Sequence, residues 1–327
     1  MREETPHTNT RPFITLALTT AMMTIGLIVF GAVVRVTDSG LGCGNDWPLC
    51  DGRVIPPLDN ITAWIEWSHR LFAALIGLFG IAMLVVAVRA YRARKRGVLT
   101  TTVVAATLFL FQSALGAFVV VLDLPPTMVT AHLGTAMLLL GALLVAAIIA
   151  WHRPPPEPTR RDNVTALAYI TAALSLVIIL TGALVRGSGA TLACADWPLC
   201  NGSLLPFDQG TLETVHMMHR LAVAGLGLTL VMLAYYVTRA RPQGLVRRLS
   251  YSALAAYLAQ AAVGAFFVWS EAASVWGATH VGMAAVTWAL LVAVCAVDTL
   301  NSRQPDNLTE YNQESRAWKP QSETAIS

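Results

Sequence analysis

Eight long apolar stretches constrain this 327-residue chain more than any other feature of its sequence. Each is long enough to cross the roughly 30 Å hydrocarbon core of a bilayer as a helix of about 20 residues. None alternates apolar and polar residues with a period of two, so the pattern does not favour a β-barrel. The predicted spans cover residues 13–34, 63–88, 99–121, 127–151, 164–185, 212–237, 249–269 and 275–300.

The composition excludes the other common classes of chain. Hydrophobic residues make up 55% of the sequence and charged residues only 13%, which is about half the charged share of a soluble domain. So few charges cannot cover a water-exposed surface, and so apolar a chain does not remain disordered. The sequence therefore predicts an all-α integral membrane protein in a lipid bilayer.

Lysines and arginines are distributed unevenly among the loops. They gather after spans two, four and six and are sparse in the two long loops after spans one and five. The positive-inside bias then predicts a plasma-membrane protein with both termini cytoplasmic and the two long loops outside. Because the basic residues follow the loops and form no patch, the net charge of +3 predicts no nucleic-acid partner. The residues that set the orientation are Arg89, Arg92, Arg94, Lys95, Arg96, Arg153, Arg160, Arg161, Arg239, Arg241, Arg247 and Arg248.

The two halves of the chain repeat each other at an offset of about 150 residues. With four spans in each half, we predict two pseudo-symmetric four-helix bundles that enter the membrane in the same direction. The predicted division is an N-terminal half over 1–151, a cytoplasmic linker over 152–163, a C-terminal half over 164–300 and a disordered cytoplasmic tail over 301–327. The repeated residues are Trp47-Pro48-Leu49-Cys50 with Trp197-Pro198-Leu199-Cys200, His69-Arg70 with His219-Arg220, Gln112 and Gly116 with Gln260 and Gly264, and His132 and Gly134 with His280 and Gly282.

Five histidines fall inside the predicted spans, and four of them form two matched pairs. His69 and His132 lie at one depth, roughly 9 Å and 8 Å from the outer ends of their spans, and His219 with His280 repeats that arrangement. An ionisable side chain inside a membrane is costly and usually marks a functional site. Two imidazoles that face each other across a helical bundle suit a six-coordinate heme iron. Zinc would need further ligands, and a proton path lined by histidines stays an alternative.

One acidic residue distinguishes the two halves. Glu66 precedes His69 by three residues and shares its helix face, whereas its counterpart in the repeat is His216. A carboxylate beside a heme can move protons or stabilise positive charge, which a histidine at that place does not do in the same way. The alternative is that Glu66 only starts its helix at the membrane surface.

Four arginines at the outer ends of the spans are candidate partners for heme propionates. Arg70 and Arg220 directly follow candidate ligands, and Arg35 and Arg186 end spans one and five. For the last two, contact with lipid phosphate is an equally good interpretation.

Cysteines form two pairs in the long loops. Cys43 with Cys50 and Cys194 with Cys200 lie on the oxidising side, where each pair predicts a loop disulfide. Bridges that close such short loops can also be redox-active. Cys295 lies in span eight and is expected to be inert.

In combination, these motifs resemble heme A synthase, over the chain from about residue 35 to residue 282. The resemblance implies oxidation of the methyl group at ring position C8 of heme O to a formyl group, by successive hydroxylations and loss of water. It implies that His219 and His280 ligate the iron of a resident heme b, that His69 and His132 take the substrate heme, and that Glu66 is catalytic. His216 is a second candidate ligand, and we choose His219 because it aligns with His69 through the following arginine.

The resemblance also implies heme O synthase and cytochrome oxidase assembly as partners, and it leaves a homo-oligomer open. Two rival functions use the same residues. A di-heme b-type quinol-oxidising electron carrier would need the histidine pairs but would make no new heme. A membrane thiol-disulfide oxidoreductase would use the loop cysteines and bind no heme.

Overall fold

Each of the eight apolar stretches forms one long helix. The computed structural model describes residues 10–92, 95–153, 155, 162–241 and 244–302. Outside the helices, the described residues form loops, a short 3₁₀ turn at Ala190–Leu192 and two isolated β-bridges. The bridges pair Cys50 with Arg53 and Cys200 with Ser203. The helices are α1 (Arg11–Val36), α2 (Ile61–Tyr91), α3 (Arg96–Val121), α4 (Pro126–Trp151), α5 (Asn163–Gly187), α6 (Thr211–Ala240), α7 (Leu245–Trp269) and α8 (Ser274–Asn301).

All eight helices are long and apolar enough to cross a membrane. The prediction of an all-α, multi-pass membrane protein is therefore confirmed. Most helices extend beyond the predicted spans because hydropathy marks only the hydrocarbon segment, while backbone hydrogen bonding continues into the polar interface. In α2, for example, the side chain of Asn60 accepts a hydrogen bond from the N–H of Ala63 at 3.1 Å and starts the helix before the apolar run.

The helices pack as two groups of four. Helices α1 to α4 contact one another in a closed ring, and α5 to α8 form a second ring. The rings meet where α1 contacts α8 and where α4 contacts both α5 and α8. Consequently α4 is the most buried span and α3 the least. The pseudo-symmetry of the two halves and their exact limits stay predictions. Most of the predicted linker, the tail from residue 303, and Arg94, Arg160 and Arg161 lie outside the described residues.

One contact is made twice at the seam between the rings. Gly134 on α4 receives the side chain of Leu180 from α5, and Gly282 on α8 receives Val29 from α1. A Cβ atom added at either glycine would lie 2.8–2.9 Å from the partner side chain, closer than real contacts allow. These two repeated glycines therefore serve close helix approach between the halves.

Three helices of the second ring are joined by a buried ion cluster at the end away from the cysteines. Asp298 on α8 is 1% exposed. Its carboxylate accepts hydrogen bonds from Arg241 Nε at 2.9 Å and Thr165 Oγ1 at 2.6 Å. Arg241 also pairs with Asp162, at 3.0 Å, and these hydrogen bonds hold the pKa of Asp162 below its ordinary value. The cluster thus ties the start of α5 and the end of α6 to α8.

We expect Asp298→Asn to destabilise the protein strongly, because it leaves Arg241 buried with part of its charge uncompensated. Breaking a buried ion pair typically costs about 3–5 kcal/mol. Asp38→Asn is the matched control, since Asp38 pairs with Arg186 at 3.6 Å with 82% of its side chain exposed. Exposed pairs contribute about 0–1 kcal/mol. Thermal unfolding in detergent should separate the two variants, and equal midpoints would contradict the stabilising role of the cluster.

Candidate functional site

The structure brings the four candidate histidines together as two pairs. His69 on α2 and His132 on α4 come from diagonal helices of the first ring, and His219 on α6 and His280 on α8 from diagonal helices of the second. The imidazoles of each pair are close enough to interact electrostatically. Each ring therefore holds one imidazole on each of two diagonal helices, and their role as heme ligands stays a prediction.

A glycine on the neighbouring helix lies against each of these imidazoles. A Cβ atom added at any of the four glycines would lie 2.9–3.1 Å from an imidazole atom. Each histidine therefore packs directly on the backbone of the next helix, and any larger residue there would displace the ring. The pairs are Gly31 with His69, Gly116 with His132, Gly182 with His219, and Gly264 with His280.

Two of these glycines were not found from the sequence. Gly31 and Gly182 each begin a five-residue segment that ends in a predicted site arginine, Arg35 or Arg186. The segments read Gly-Ala-Val-Val-Arg and Gly-Ala-Leu-Val-Arg. An alignment of α1 with α5 identifies them, because both segments share the pattern Gly-Ala-x-Val-Arg.

Several buried polar atoms near the histidines have no hydrogen-bond partner among the described residues. They are His132 Nδ1, His280 Nδ1, Gln112 Oε1 and Gln260 Oε1. Gln112 also lies 3.1 Å from His132, between Nε2 atoms. Buried polar groups are normally paired. Unpaired atoms beside both histidine pairs indicate a place where a further group binds.

The available donors suit a heme iron. Within the described ranges, no three His, Cys, Asp or Glu side chains gather as a metal-binding group. Each ring thus offers two imidazoles, the number needed for the two axial positions of a heme whose porphyrin supplies the other four ligands. The residues present therefore fit a heme in each half.

Glu66 is buried where α2 meets the first disulfide loop, and is 3% exposed. Its carboxylate accepts a hydrogen bond from the backbone N–H of Cys43 at 2.9 Å and forms an ion pair with Arg70. The side chain is therefore fixed in place one helical turn from His69. This contact with the loop was not predicted from the sequence.

Arg70 and Arg220 fasten the two disulfide loops, residues 37–60 and 188–210, to the helices that carry the histidines. Arg70 donates to the carbonyls of Asp46 and Leu49, at 3.0 and 2.8 Å. Arg220 makes the same contacts in the second half, to the carbonyls of Asp196, at 2.7 Å, and of Leu199. The loops thus account for much of the hydrogen bonding of both guanidinium groups, while contact with heme propionates stays a prediction.

Beyond these two carbonyl contacts, Arg70 and Arg220 each make a third contact, and here the two halves differ. Arg70 pairs with Glu66, whereas Arg220 donates to the carbonyl of Cys194 at 3.2 Å. His216 occupies the position in α6 that Glu66 occupies in α2, and it is buried close to the backbone of Ala190. The second loop is therefore held without a carboxylate on α6.

Arg35 and Arg186, the other two predicted site arginines, also lie at or beside the disulfide loops. Arg186 pairs with Asp38, and Arg35 lies near both. The N–H groups of Gly202 and Asn201 hydrogen-bond to Asp196 and hold the pKa of its carboxyl below the ordinary value.

The structure contains both predicted disulfides, Cys43–Cys50 and Cys194–Cys200, with all four cysteines fully buried. Cys295 is a free thiol buried in α8. A redox role of the bridges stays an alternative to a purely structural one.

Comparison with known proteins gives one consistent family. The family model described as "Cytochrome oxidase assembly protein" matches residues 14–292. The chain is similar to the heme A synthase of Symbiobacterium thermophilum, with 33% identity over 84% of this chain and 92% of that protein. It is 34% identical to the heme A synthase of Geobacillus thermodenitrificans over 78% of this chain and 81% of that protein. The heme A synthase of an Exiguobacterium species is 30% identical, over 77% and 83% respectively.

We expect Arg220→Lys to loosen the second disulfide loop, because a single ammonium group cannot reach three carbonyls in the geometry of a guanidinium. Hydrogen bonds to charged groups contribute about 1.5–3 kcal/mol. Amide hydrogen exchange over residues 193–205 should therefore be about 10- to 100-fold faster. Arg248→Lys, at an exposed position, is the control and should leave that exchange unchanged. Unaltered exchange in Arg220→Lys would show that the loop does not depend on this arginine.

Proposed function

The chain belongs to the cytochrome oxidase assembly protein family that includes the heme A synthases, and from that premise we propose that it is a heme A synthase. In the proposed reaction the C8 methyl group of heme O is hydroxylated twice in succession. The resulting geminal diol loses water and leaves the formyl group of heme A. The product then serves cytochrome oxidase assembly, and a heme O synthase supplies the substrate.

The observation that carries this proposal is the presence of two imidazole pairs, one in each ring of helices. We propose that His219 and His280 hold a resident heme b and that His69 and His132 hold heme O. When bound, the resident heme supplies one-electron redox chemistry. The residues of α2 and α4 orient the substrate between two imidazoles, and the surrounding apolar helices exclude water from the reacting methyl group.

Glu66 is the proposed catalytic residue of the substrate half. Its contacts with Cys43 and Arg70 would equally suit a residue that only fastens the loop. The second half provides an internal control, because Arg220 fastens its loop through three carbonyls and without an acidic partner on α6. A carboxylate is therefore not needed for fastening. This supports a role for Glu66 in holding or moving a proton near the substrate.

We further propose that the protein resides in the plasma membrane with both termini in the cytoplasm. The distribution of lysine and arginine among the loops supports this orientation. It places both disulfides on the oxidising side, where such bridges persist. The proposed functional units are the substrate half over 1–151 and the cofactor half over 164–300.

The ligand assignment predicts a clear spectroscopic difference between neighbouring histidines. Replacing His219 or His280 with Ala should abolish the low-spin spectrum of the resident heme b, because each supplies one axial nitrogen. His216→Ala should leave the spectrum close to that of the wild type, since His216 aligns with Glu66 in the repeat and lies beside the loop at Ala190. Visible and electron paramagnetic resonance spectra of the purified variants would measure this. Loss of the low-spin signal in His216→Ala alone would transfer the ligand role to His216.

For Glu66 we predict that Glu66→Gln retains the fold and the resident heme but stops conversion. Loss of one acid–base group typically lowers a rate by about 10²–10⁴. In cells that contain heme O synthase, extracted hemes should show heme O or a hydroxylated intermediate accumulating in place of heme A, and cells without that synthase should show neither. Extracts of cells with the wild-type protein also test the two rival functions, since neither rival yields heme A.

The control for Glu66→Gln is the state of the first disulfide loop. Amide exchange over residues 41–53 should remain close to that of the wild type, because the amide oxygen of Gln can still accept from Cys43. Normal heme A output from this variant would leave Glu66 as a loop-fastening residue only.

A further inference from the structure

The imidazole of His219 has a specific hydrogen-bond partner on α5. The hydroxyl oxygen of Thr181 lies 2.9 Å from His219 Nδ1. The same hydroxyl lies 2.8 Å from the backbone carbonyl of Ile178, one turn earlier in α5. Thr181 directly precedes Gly182, on whose backbone the His219 ring packs. The ring is therefore held by packing on one residue and by a hydrogen bond to the preceding one.

The direction of these hydrogen bonds follows from the chemistry of the groups. A carbonyl can only accept, so both contacts of Thr181 are hydrogen bonds when its hydroxyl donates its single hydrogen to Ile178 and accepts from Nδ1. In this arrangement Nδ1 carries the hydrogen, as it also must when Nε2 of a neutral imidazole ligates a metal. In a neutral imidazole the other nitrogen, Nε2, then has a free lone pair, which is the form that ligates iron.

The first half lacks this partner at the matching place. Phe30 directly precedes Gly31, on whose backbone the His69 ring packs. The Phe30 ring contacts His69 edge to face, with centroids 5.9 Å apart. It also contacts Phe72, at 5.9 Å. A hydrocarbon ring offers no oxygen to accept an imidazole N–H, so Phe30 does not fix the tautomer of His69 by a hydrogen bond.

We propose that Thr181 is a positioning residue that makes the second half retain its heme, and that Phe30 leaves the first half able to release one. This rests on the proposed function, in which one heme is a permanent cofactor and the other must leave as product. A hydrogen bond at Nδ1 orients a ligand histidine and raises its basicity, which strengthens the bond from Nε2 to a metal. The second half, with the hydroxyl of Thr181, thus retains its heme, and the first half, with the phenyl ring of Phe30, releases one.

The test is the rate at which full-length protein, purified with its heme b, loses that heme to excess apomyoglobin. Removing such a partner of a ligand histidine typically costs 10- to 100-fold in metal affinity. We expect a comparably faster loss from Thr181→Val, which removes the hydroxyl and nearly keeps the shape. The midpoint potential of the heme should also rise, because a less basic imidazole stabilises ferric iron less.

Two variants serve as controls. Thr181→Ser keeps a hydroxyl and should restore both the slow loss and the potential. Thr171→Val removes a hydroxyl whose one hydrogen bond within the described ranges goes to the carbonyl of Leu167 in the same helix, at 2.8 Å. It should behave as the wild type. In the first half, Phe30→Thr should slow the loss of heme O or heme A, which extraction distinguishes from heme b.

Each outcome bears on a different statement. If the purified wild type holds heme b and Thr181→Val loses it no faster than Thr171→Val, the inference is wrong and the proposed function stands. An unchanged potential together with faster loss in both Thr181→Val and Thr181→Ser would also overturn it, since packing would then be responsible. A wild type without any b-type heme would refute the proposed function, and the inference with it.

Discussion

Hydrocarbon offers a polar group no hydrogen-bond partner, so every polar atom inside this bundle depends on the protein or on what the protein binds. Most of the backbone meets this condition by forming helices. The imidazoles meet it in part, since His219 is paired with Thr181 whereas Nδ1 of His132 and of His280 has no partner in the described part of the chain. The glycines at each imidazole bring helices close enough to restrain these rings by contact alone. The architecture is thus arranged around a few polar groups that lipid cannot accommodate.

At the end of the rings that carries the disulfides, the loops, the arginines and the candidate ligand histidines form one connected unit. Each His-Arg pair occupies successive positions of one helix, so the histidine points into the ring and the arginine reaches the loop carbonyls. The disulfide in turn shapes the loop that supplies those carbonyls. A displacement of either loop therefore acts on the helical turn that carries the histidine. In the first half this unit also contains Glu66, so a carboxylate is kept dry and close to the candidate substrate site.

The sequence predicted the helices and the histidine pairs because hydropathy and an internal repeat report depth and order along the chain. It did not predict the ends of helices such as α2, which depend on caps such as Asn60. Nor did it predict that Arg70 and Arg220 bind loop carbonyls, since spacing along a helix does not specify where a long side chain ends. Thr181 escaped notice for another reason. Comparing the halves draws attention to identical residues, and Thr181 matters because the first half has Phe30 in its place.

The glycine contact at the seam, made once by Gly134 with Leu180 and once by Gly282 with Val29, has a consequence for how the halves can differ. Each half contributes both a glycine and an apolar side chain that packs on the glycine of the other half. Such a surface is self-complementary, as in an isologous dimer of identical subunits. Two identical subunits would have to share every substitution. Here both copies of the surface are encoded in one chain, so a residue can change on one side of the seam alone. Glu66 where the second half has His216, and Phe30 where it has Thr181, are differences that two identical subunits could not hold.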